Sequence, residues 1–389
     1  MQTKDFKTRS EIVVQKSPSN EIYYPIGLDV GYSGVKVYTE NKRSCFPSFT
    51  RKAPDNTISF RNSLPTDIQL FMDGETWDIG ELAYDGFRAG DSSVSEVERS
   101  ERDRYYSNTF RAISLTGIGI ALLENEISSI GDRKILIQTG LPAKYMDDAP
   151  YLIDALSGDF SFKIRLGGGD WNTFSFSLGE DNFLKPLPQP IGALLSAAYN
   201  KDGTPSKIAS QLFNLNTVIL DPGGNTFDLS AIIRGRYQND LSKTYPELGM
   251  RAVFERTCQK IREKYNVSLT VTALQKKLEE GTIKTFDRKA RSSASHDFSD
   301  LLEESRKEVF EEVIKEVDSS YKFFTEYNYA IASGGTYEIW KDDFADLLKN
   351  IEGLQIIPAN INDPSIPNFY SVSRGYYYMA ANGRASKKG

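Results

Sequence analysis

Apolar positions along the 389-residue chain fall into two periodicities. Alternating or continuous apolar runs at 22–30, 34–39, 44–51, 134–139, 160–166, 173–178, 218–220, 227–233, 329–332 and 355–357 predict strands. Helical spacing predicts three long helices. They span 106–130 (Phe110, Ile113, Ile118, Ala121, Leu122), 250–266 (Val253, Cys258, Ile261, Tyr265) and 298–326 (Val309, Phe310, Val313, Ile314, Val317). Shorter helices are predicted at 148–156, 193–200, 342–348 and 372–381. Residues 52–105 are polar and rich in turns; a strand pair is expected there around Thr57–Phe60 and Phe71–Asp78, and Ser95–Arg104 reads as a solvated charged face. Gly167–Asp170, between two alternating strands, reads as a plain hairpin turn. Short elements with a basic patch, Lys284–Arg291, fill 267–299, and Asn360–Pro367 is a loop. Residues 1–20 read as a flexible arm and 383–389 as a frayed tail.

Two stretches repeat one pattern. Residues 219–233 run apolar strand, acid (Asp221), turn (Gly223, Gly224, Asn225, Thr226), apolar strand. Residues 26–38 run apolar strand, acid (Asp29), turn (Gly31, Tyr32, Ser33, Gly34), apolar strand, with Lys36 inside the last. Backbone N–H groups in such turns can form a concave nest for a phosphate, and an acid at the strand end can face it through a hydrated cation. Each stretch alone also fits an ordinary hairpin with a surface acid, and Lys36 a solvated strand lysine. Two acid-plus-nest hairpins facing each other would clamp a polyphosphate and its metal from both sides.

Composition narrows the field. A hydrophobic content of 39% supports two cores, and the net charge of −6 offers no global positive surface for nucleic acid. Cys45, Cys258 and the single His296 make neither a disulfide framework nor a zinc site; idle thiols suit a reducing cytoplasm. One histidine, read as a surface residue, disfavours triad hydrolysis. No apolar run spans a membrane, and neither terminus carries a signal peptide or an amphipathic membrane helix.

With its two hairpins, the chain resembles the actin-like ATPase superfamily, which includes sugar kinases and the large heat-shock ATPases. Three further stretches are similar to that family's motifs, in the family order. Ala330–Trp340 resembles the adenosine motif; Ile135–Pro142 and Val372–Ala381 resemble the two connecting segments. Leu141-Pro142 and Pro188–Ala193 resemble most the plasmid-segregating bacterial actins of the ParM/StbA type.

The resemblance implies an α/β actin-like fold of two duplicated ribonuclease-H-like domains, with nucleotide in the cleft between them. Domain I would take 21–187 and 368–389, with an outer lobe at about 40–105. Domain II would take 188–367, with an outer lobe at about 240–325. Gly31, Tyr32, Ser33 and Gly34 would hold the β-phosphate, Lys36 the α/β oxygens, and Gly223, Gly224, Asn225 and Thr226 the γ-phosphate. Gly249, at the head of the helix that faces base and ribose in the family, and Gly334, Gly335 and Thr336 would hold the nucleoside. Asp29 and Asp221 would bind Mg²⁺, mostly through water, and Gln189 would orient the attacking water. A Gln is a poor general base, so hydrolysis would be slow. Pro222 and Asn225 depart from the family pattern, which leaves GTP beside ATP/ADP as the nucleotide. The implied function is a cytoplasmic, filament-forming ATPase. It would polymerise with ATP, disassemble after hydrolysis, and move plasmid DNA through a small DNA-binding adaptor on centromere-like DNA, without touching nucleic acid or membrane itself. A small-molecule kinase and a non-polymerising chaperone-type ATPase are the alternatives on this fold. Gln189, where a kinase would carry Asp, counts against a sugar kinase.

Overall fold

The computed structural model describes residues 1–54, 61–86, 104–124 and 130–382. The strand expected at Thr57–Phe60, the charged stretch before Arg104 and the tail 383–389 lie outside the described residues.

Two five-stranded mixed sheets carry the two hairpins, and their topology repeats. The first sheet runs Glu11–Val14, Lys42–Pro47, Gly34–Tyr38, Tyr23–Val30, Lys134–Gln138. The second runs Arg236–Tyr245, Phe227–Ile233, Thr217–Pro222, Tyr329–Ala332, Gln355–Pro358. In each, an antiparallel hairpin gains a third antiparallel strand on one side and a parallel strand on the other. The hairpin strands are apolar on both faces because each sheet is covered on both faces. One apolar core centres on Ile26, Leu28 and Val35; another centres on Val218, Leu220 and Phe227.

A third, antiparallel sheet joins Asn172–Leu178, Gly158–Leu166, Ile68–Met72, Glu75–Ile79 and Thr50–Lys52. It corrects two expectations. The stretch Phe71–Asp78 is not one strand but two, folded back at Asp73 and Gly74, both in the left-handed region (φ 51° and 80°). The strand expected over 44–51 ends at Pro47 and resumes at Thr50 in another sheet. The hairpin around Gly167 is as expected, with Phe160 opposite Phe176 and Phe162 opposite Phe174.

Helix ends moved where capping chemistry outweighed periodicity. The helix expected over 106–130 spans Asn108–Leu122, capped by the Ser107 hydroxyl accepting from the Phe110 N–H at 3.1 Å. The helix expected at 193–200 starts at Gln189, because Pro190 falls in a first turn where a missing N–H costs nothing. Tyr337–Leu348 begins five residues earlier than the predicted 342. Ser299–Tyr321 stops where Lys322 and Phe323 turn left-handed (φ 46° and 50°).

The closing helix, Ser371–Asn382, ties the halves together. It crosses the Gln189–Ala198 helix where Gly375 meets Gly192: a Cβ on Gly375 would lie 1.8 Å from the Gly192 carbonyl oxygen. It also lies on the Tyr23–Val30 strand, where a Cβ on Gly27 would meet the Ser373 oxygen at 1.9 Å. Arg374 is fully buried and caps the end of the Gln189–Ala198 helix. It donates to the Ser196 carbonyl at 2.7 Å and the Tyr199 carbonyl at 3.3 Å, and lies over the Tyr378 ring.

Residues 1–20, expected as a flexible arm, are built into the fold. Thr3–Phe6 forms a 3₁₀ turn and Glu11–Val14 is an edge strand on Lys42–Pro47. Phe6 supplies the apolar anchor that a free arm lacks.

Candidate functional site

The two hairpins face one another across a cavity of about 480 Å³. Their turns touch: a Cβ on Gly224 would fall 1.5 Å from the Ser33 hydroxyl oxygen. The register leaves Gly31–Gly34 as the first turn, after Val30 pairs with Val35. It leaves Gly223–Thr226 as the closed loop of the second, after Pro222 pairs with Phe227, and the Gly223 N–H donates to the Thr226 carbonyl at 2.7 Å.

Each turn is held from behind by its carbonyls. Ser48 holds the first: its hydroxyl donates to the Gly31 carbonyl at 2.7 Å and its N–H to the Ser33 carbonyl at 3.1 Å. Arg104, buried, donates to the Val30 carbonyl at 2.7 Å and lies 4.3 Å from the centre of the Tyr32 ring. In a trans peptide N–H and C=O point opposite ways, so these bonds turn the N–H groups of Gly31, Tyr32 and Gly34 away from their holders. All three residues line the cavity. The start of the Met250–Tyr265 helix holds the second turn. Met250 N–H donates to the Gly223 carbonyl at 3.2 Å, Arg251 N–H to the Gly224 carbonyl at 2.8 Å, and the Thr336 hydroxyl to the Gly223 carbonyl at 3.1 Å. The Gly224 and Asn225 N–H groups therefore point away from that helix, and both residues line the cavity.

Every sequence-predicted site residue but one lines this cavity: Asp29, Gly31, Tyr32, Ser33, Gly34, Lys36, Gln189, Asp221, Gly223, Gly224, Asn225, Thr226, Gly334, Gly335 and Thr336. The exception, Gly249, lies behind the second turn, where a Cβ would meet the Asn225 carbonyl carbon at 2.5 Å. Gly334 is left-handed (φ 85°), and a Cβ there would sit 2.9 Å from both the Asp221 Oδ1 and the Pro222 oxygen.

The two acids differ in setting. Asp29 is opposite Lys36 in the ladder, 3.3 Å from its ammonium, and accepts from the Gln189 amide at 3.0 Å. Gln189 is thus within the helix's first turn and beside the acid, not ahead of the helix. Asp221 accepts from the Ser333 hydroxyl at 2.6 Å. Burial raises its pKa; the Ser333 bond opposes this and the Asp29 charge adds to it. Opposite Asp221 in the ladder is Asp228, held by the Thr226 hydroxyl at 2.7 Å and by Thr244. Burial pushes the Asp228 carboxyl up to about 7, against the Thr244 bond and with the Asp221 charge.

This donor set fits a divalent cation held by two carboxylates and shared with water and phosphate: buried Asp29 and Asp221 carry more negative charge than Lys36 offsets. Among the described residues no cluster of three His, Cys, Asp or Glu side chains forms an all-protein metal cage. Ser48, Arg104 and Asp228 escaped the sequence reading. Only Asp228 carried a local signal, as the counterpart of Lys36 across from the acid.

Residues 27–192 match the family described as actin-like proteins, N-terminal domain. No curated protein matches the chain in sequence. In structure the chain is similar to a pCBH ParM non-polymerisable quadruple mutant, at 22% identity over 92% of this chain and 98% of that one, with a TM-score of 0.69. It is similar to the ParM of a 15-stranded filament from Clostridium botulinum, at 20% identity over 92% and 99%, with a TM-score of 0.68. It is also similar to Bacillus thuringiensis ParM with AMPPNP, at 15% identity over 92% and 99%, with a TM-score of 0.58. The chain has the actin-like two-domain fold, and its residues 27–192 match the model of an actin-like N-terminal domain.

Proposed function

We propose that the chain is a filament-forming ATPase of the plasmid-segregating actin type. Supporting this most directly are the two turns that face one cavity with their carbonyls tied back and their N–H groups turned outward. A nucleoside triphosphate takes its β-phosphate on Tyr32–Gly34 and its γ-phosphate on Gly224–Thr226. Lys36 reaches the α/β oxygens, and the nucleoside lies against Gly334, Gly335 and Thr336. ATP and ADP are the nucleotides, with GTP the alternative. Asp29 and Asp221 would hold Mg²⁺ through water. When bound it supplies charge neutralisation at the phosphates. Gln189, oriented by its bond to Asp29, positions the attacking water. A neutral amide takes no proton, so turnover is slow.

Domain I is 21–187 with 368–389, domain II is 188–367, and the Gly192–Gly375 crossing is the hinge. Side-chain contacts already bridge the outer parts of the cleft: Tyr84 donates to Gln275 at 3.1 Å and Lys276 to the Asp85 carbonyl at 3.3 Å. ATP touches both turns and ADP lacks the group for the second. A ligand shifts such an equilibrium only by its differential affinity, so ATP favours closure and ADP less. Subunit surfaces that span both domains match in the closed form and couple nucleotide to polymer. The polymer would move DNA in the cytoplasm through a small DNA-binding adaptor. No helix among the described residues is long and apolar enough to cross a membrane.

Light scattering and pelleting with Mg-ATP, Mg-ADP and a non-hydrolysable analogue test the reading. The expected result is a lower critical concentration with ATP or the analogue than with ADP. Equal values, or no polymer with any nucleotide, would reject the filament and promote the small-molecule kinase.

A further inference from the structure

The first fourteen residues cross the mouth of the cleft, anchored at both ends. At one end, Phe6 is buried in the core around Val218, and the Thr3 hydroxyl donates to the Leu278 carbonyl at 2.6 Å. At the other, Glu11–Val14 pairs with Lys42–Cys45 in the sheet that carries the first hairpin. Between the anchors, the Lys7 ammonium lies 3.2 Å from Glu81 and 3.5 Å from Glu279, one carboxylate from each side of the cleft. Thr8 packs on the first turn, its Cγ2 being 3.2 Å from where Gly34 would carry a Cβ. The Arg9 guanidinium lies 5.6 Å from the centre of the Phe369 ring, whose Cβ is 3.5 Å from where Gly335 would carry one. Asp5–Arg9 line the same cavity as the two hairpins.

We propose that residues 3–14 are a strap forming the outer wall of the nucleotide cleft, and that its Arg9 is a further nucleotide-binding residue. The inference rests on the nucleotide reading above. Arg9 starts at the first turn, beside the β-phosphate seat, and ends over Phe369, beside the nucleoside seat. A nucleotide laid between those seats passes beneath its guanidinium, at the sugar and α-phosphate. A guanidinium meets phosphate oxygens with charge-assisted, bidentate donors. The two anchors are unequal. Four ladder positions hold one end, whereas one buried ring and one hydroxyl hold the other. Local opening starts where the fewest contacts must break, so the strap peels from the Phe6 end. Nucleotide leaves only after it lifts, so the strap slows release.

The test is release of radiolabelled ADP, chased with unlabelled ATP and read by rapid filtration, on the full chain below its polymerising concentration with Mg²⁺ present. Arg9→Ala removes an exposed side chain and should leave the melting temperature unchanged. Release is expected to rise about tenfold, the loss of one charge-assisted contact. Arg9→Lys is expected to fall between, since a point charge replaces a fork. Phe6→Ala frees the weak anchor and should release at least as fast as Arg9→Ala. Release at the wild-type rate by Arg9→Ala and Phe6→Ala overturns the strap while leaving the nucleotide site standing. Failure of the wild type to retain any ADP overturns the site itself, and the strap with it.

Discussion

In the first hairpin the acid at the strand end, Asp29, has Lys36 directly across the ladder; in the second, Asp221 has Asp228. The first half therefore brings its own counter-ion to the cleft, 3.3 Å from the carboxylate. The second brings two carboxylates, both with pKa values raised by burial, and meets them with hydroxyls from Ser333, Thr226 and Thr244. Like charges across a ladder destabilise a sheet, and hydroxyls ease that cost without cancelling the charge. Two copies of one local plan thus become unequal: the first is electrostatically near closure and the second is left short of positive charge. A ligand carrying a cation should be sensed mainly by the second half. The supports differ in the same sense. Ser48 and Arg104 hold the first turn from its own side of the cleft, whereas the second leans on the start of a long helix and on Thr336.

The largest effect should follow from removing the uncompensated acid. Asp221→Ala is expected to lower ATP hydrolysis at least a thousandfold, because a metal's charge stabilisation is worth several kcal/mol. Its melting temperature should hold or rise, since a buried carboxylate without a cation across its ladder is removed. Phosphate release near the wild-type rate would break the comparison at its root. Gln189→Ala comes next. It strips the second contact from Asp29, and a fall of about a hundredfold in turnover with nucleotide still bound fits a water-orienting side chain. Assembly with ATP should persist and filaments should last longer. Loss of nucleotide binding would instead make Gln189 structural. Ser48→Ala should act more mildly, freeing the Gly31 carbonyl while keeping the backbone bond to Ser33. One hydrogen bond of about 1 kcal/mol corresponds to a several-fold weaker affinity for nucleotide, read by calorimetry with Mg-ATP. An unchanged affinity would mean that the first turn needs no such brace.

How much of this was legible follows from how far each interaction reaches. Asp29, Gly31–Gly34, Asp221 and Gly223–Thr226 carry their signal within a dozen residues, and the hairpins form as read. Gly334 was legible through the resemblance of Ala330–Trp340 to the adenosine motif, and its left-handed backbone gives the physical reason for a glycine there. Ser48 and Arg104 were not, because each acts on a turn that only the sheet's folding brings near; Arg104 is 74 positions from Val30. Gly249, read as a nucleotide contact, packs behind the second turn instead, while Met250 and Phe254 of the helix it starts line the cavity, because a helix start shows in sequence but its packing does not. The arm was misread for the same reason: Phe6 looks isolated until Leu278 and its neighbours, some 270 positions on, close around it.

The last test reads the charge imbalance alone, without catalysis. The Asp228 carboxyl titrates at about 7 in the folded chain and near 4 when unfolded. Its raised pKa means that the folded state prefers the protonated form. Below pH 4 the group is neutral in both states and costs nothing. Between pH 4 and 7 the unfolded chain loses its proton first, so folding stability falls as pH rises, by at most about 1.4 kcal/mol per pH unit from this group. Above pH 7 the penalty is constant. The neighbours that set it are Asp221 across the ladder and the hydroxyls of Thr226 and Thr244. Asp228→Asn keeps an acceptor for one hydroxyl and removes the charge. Other carboxylates with depressed pKa values, such as Asp297 and Glu303, pull the whole-chain trend the opposite way, so the quantity to read is the difference between the variant and the wild type. Urea unfolding without nucleotide or divalent ions, at intervals from pH 4 to 8, should show the variant gaining on the wild type as pH rises to about 7 and holding level beyond it. Parallel curves would mean that the hydroxyls alone settle Asp228, and the second hairpin would then be no shorter of positive charge than the first.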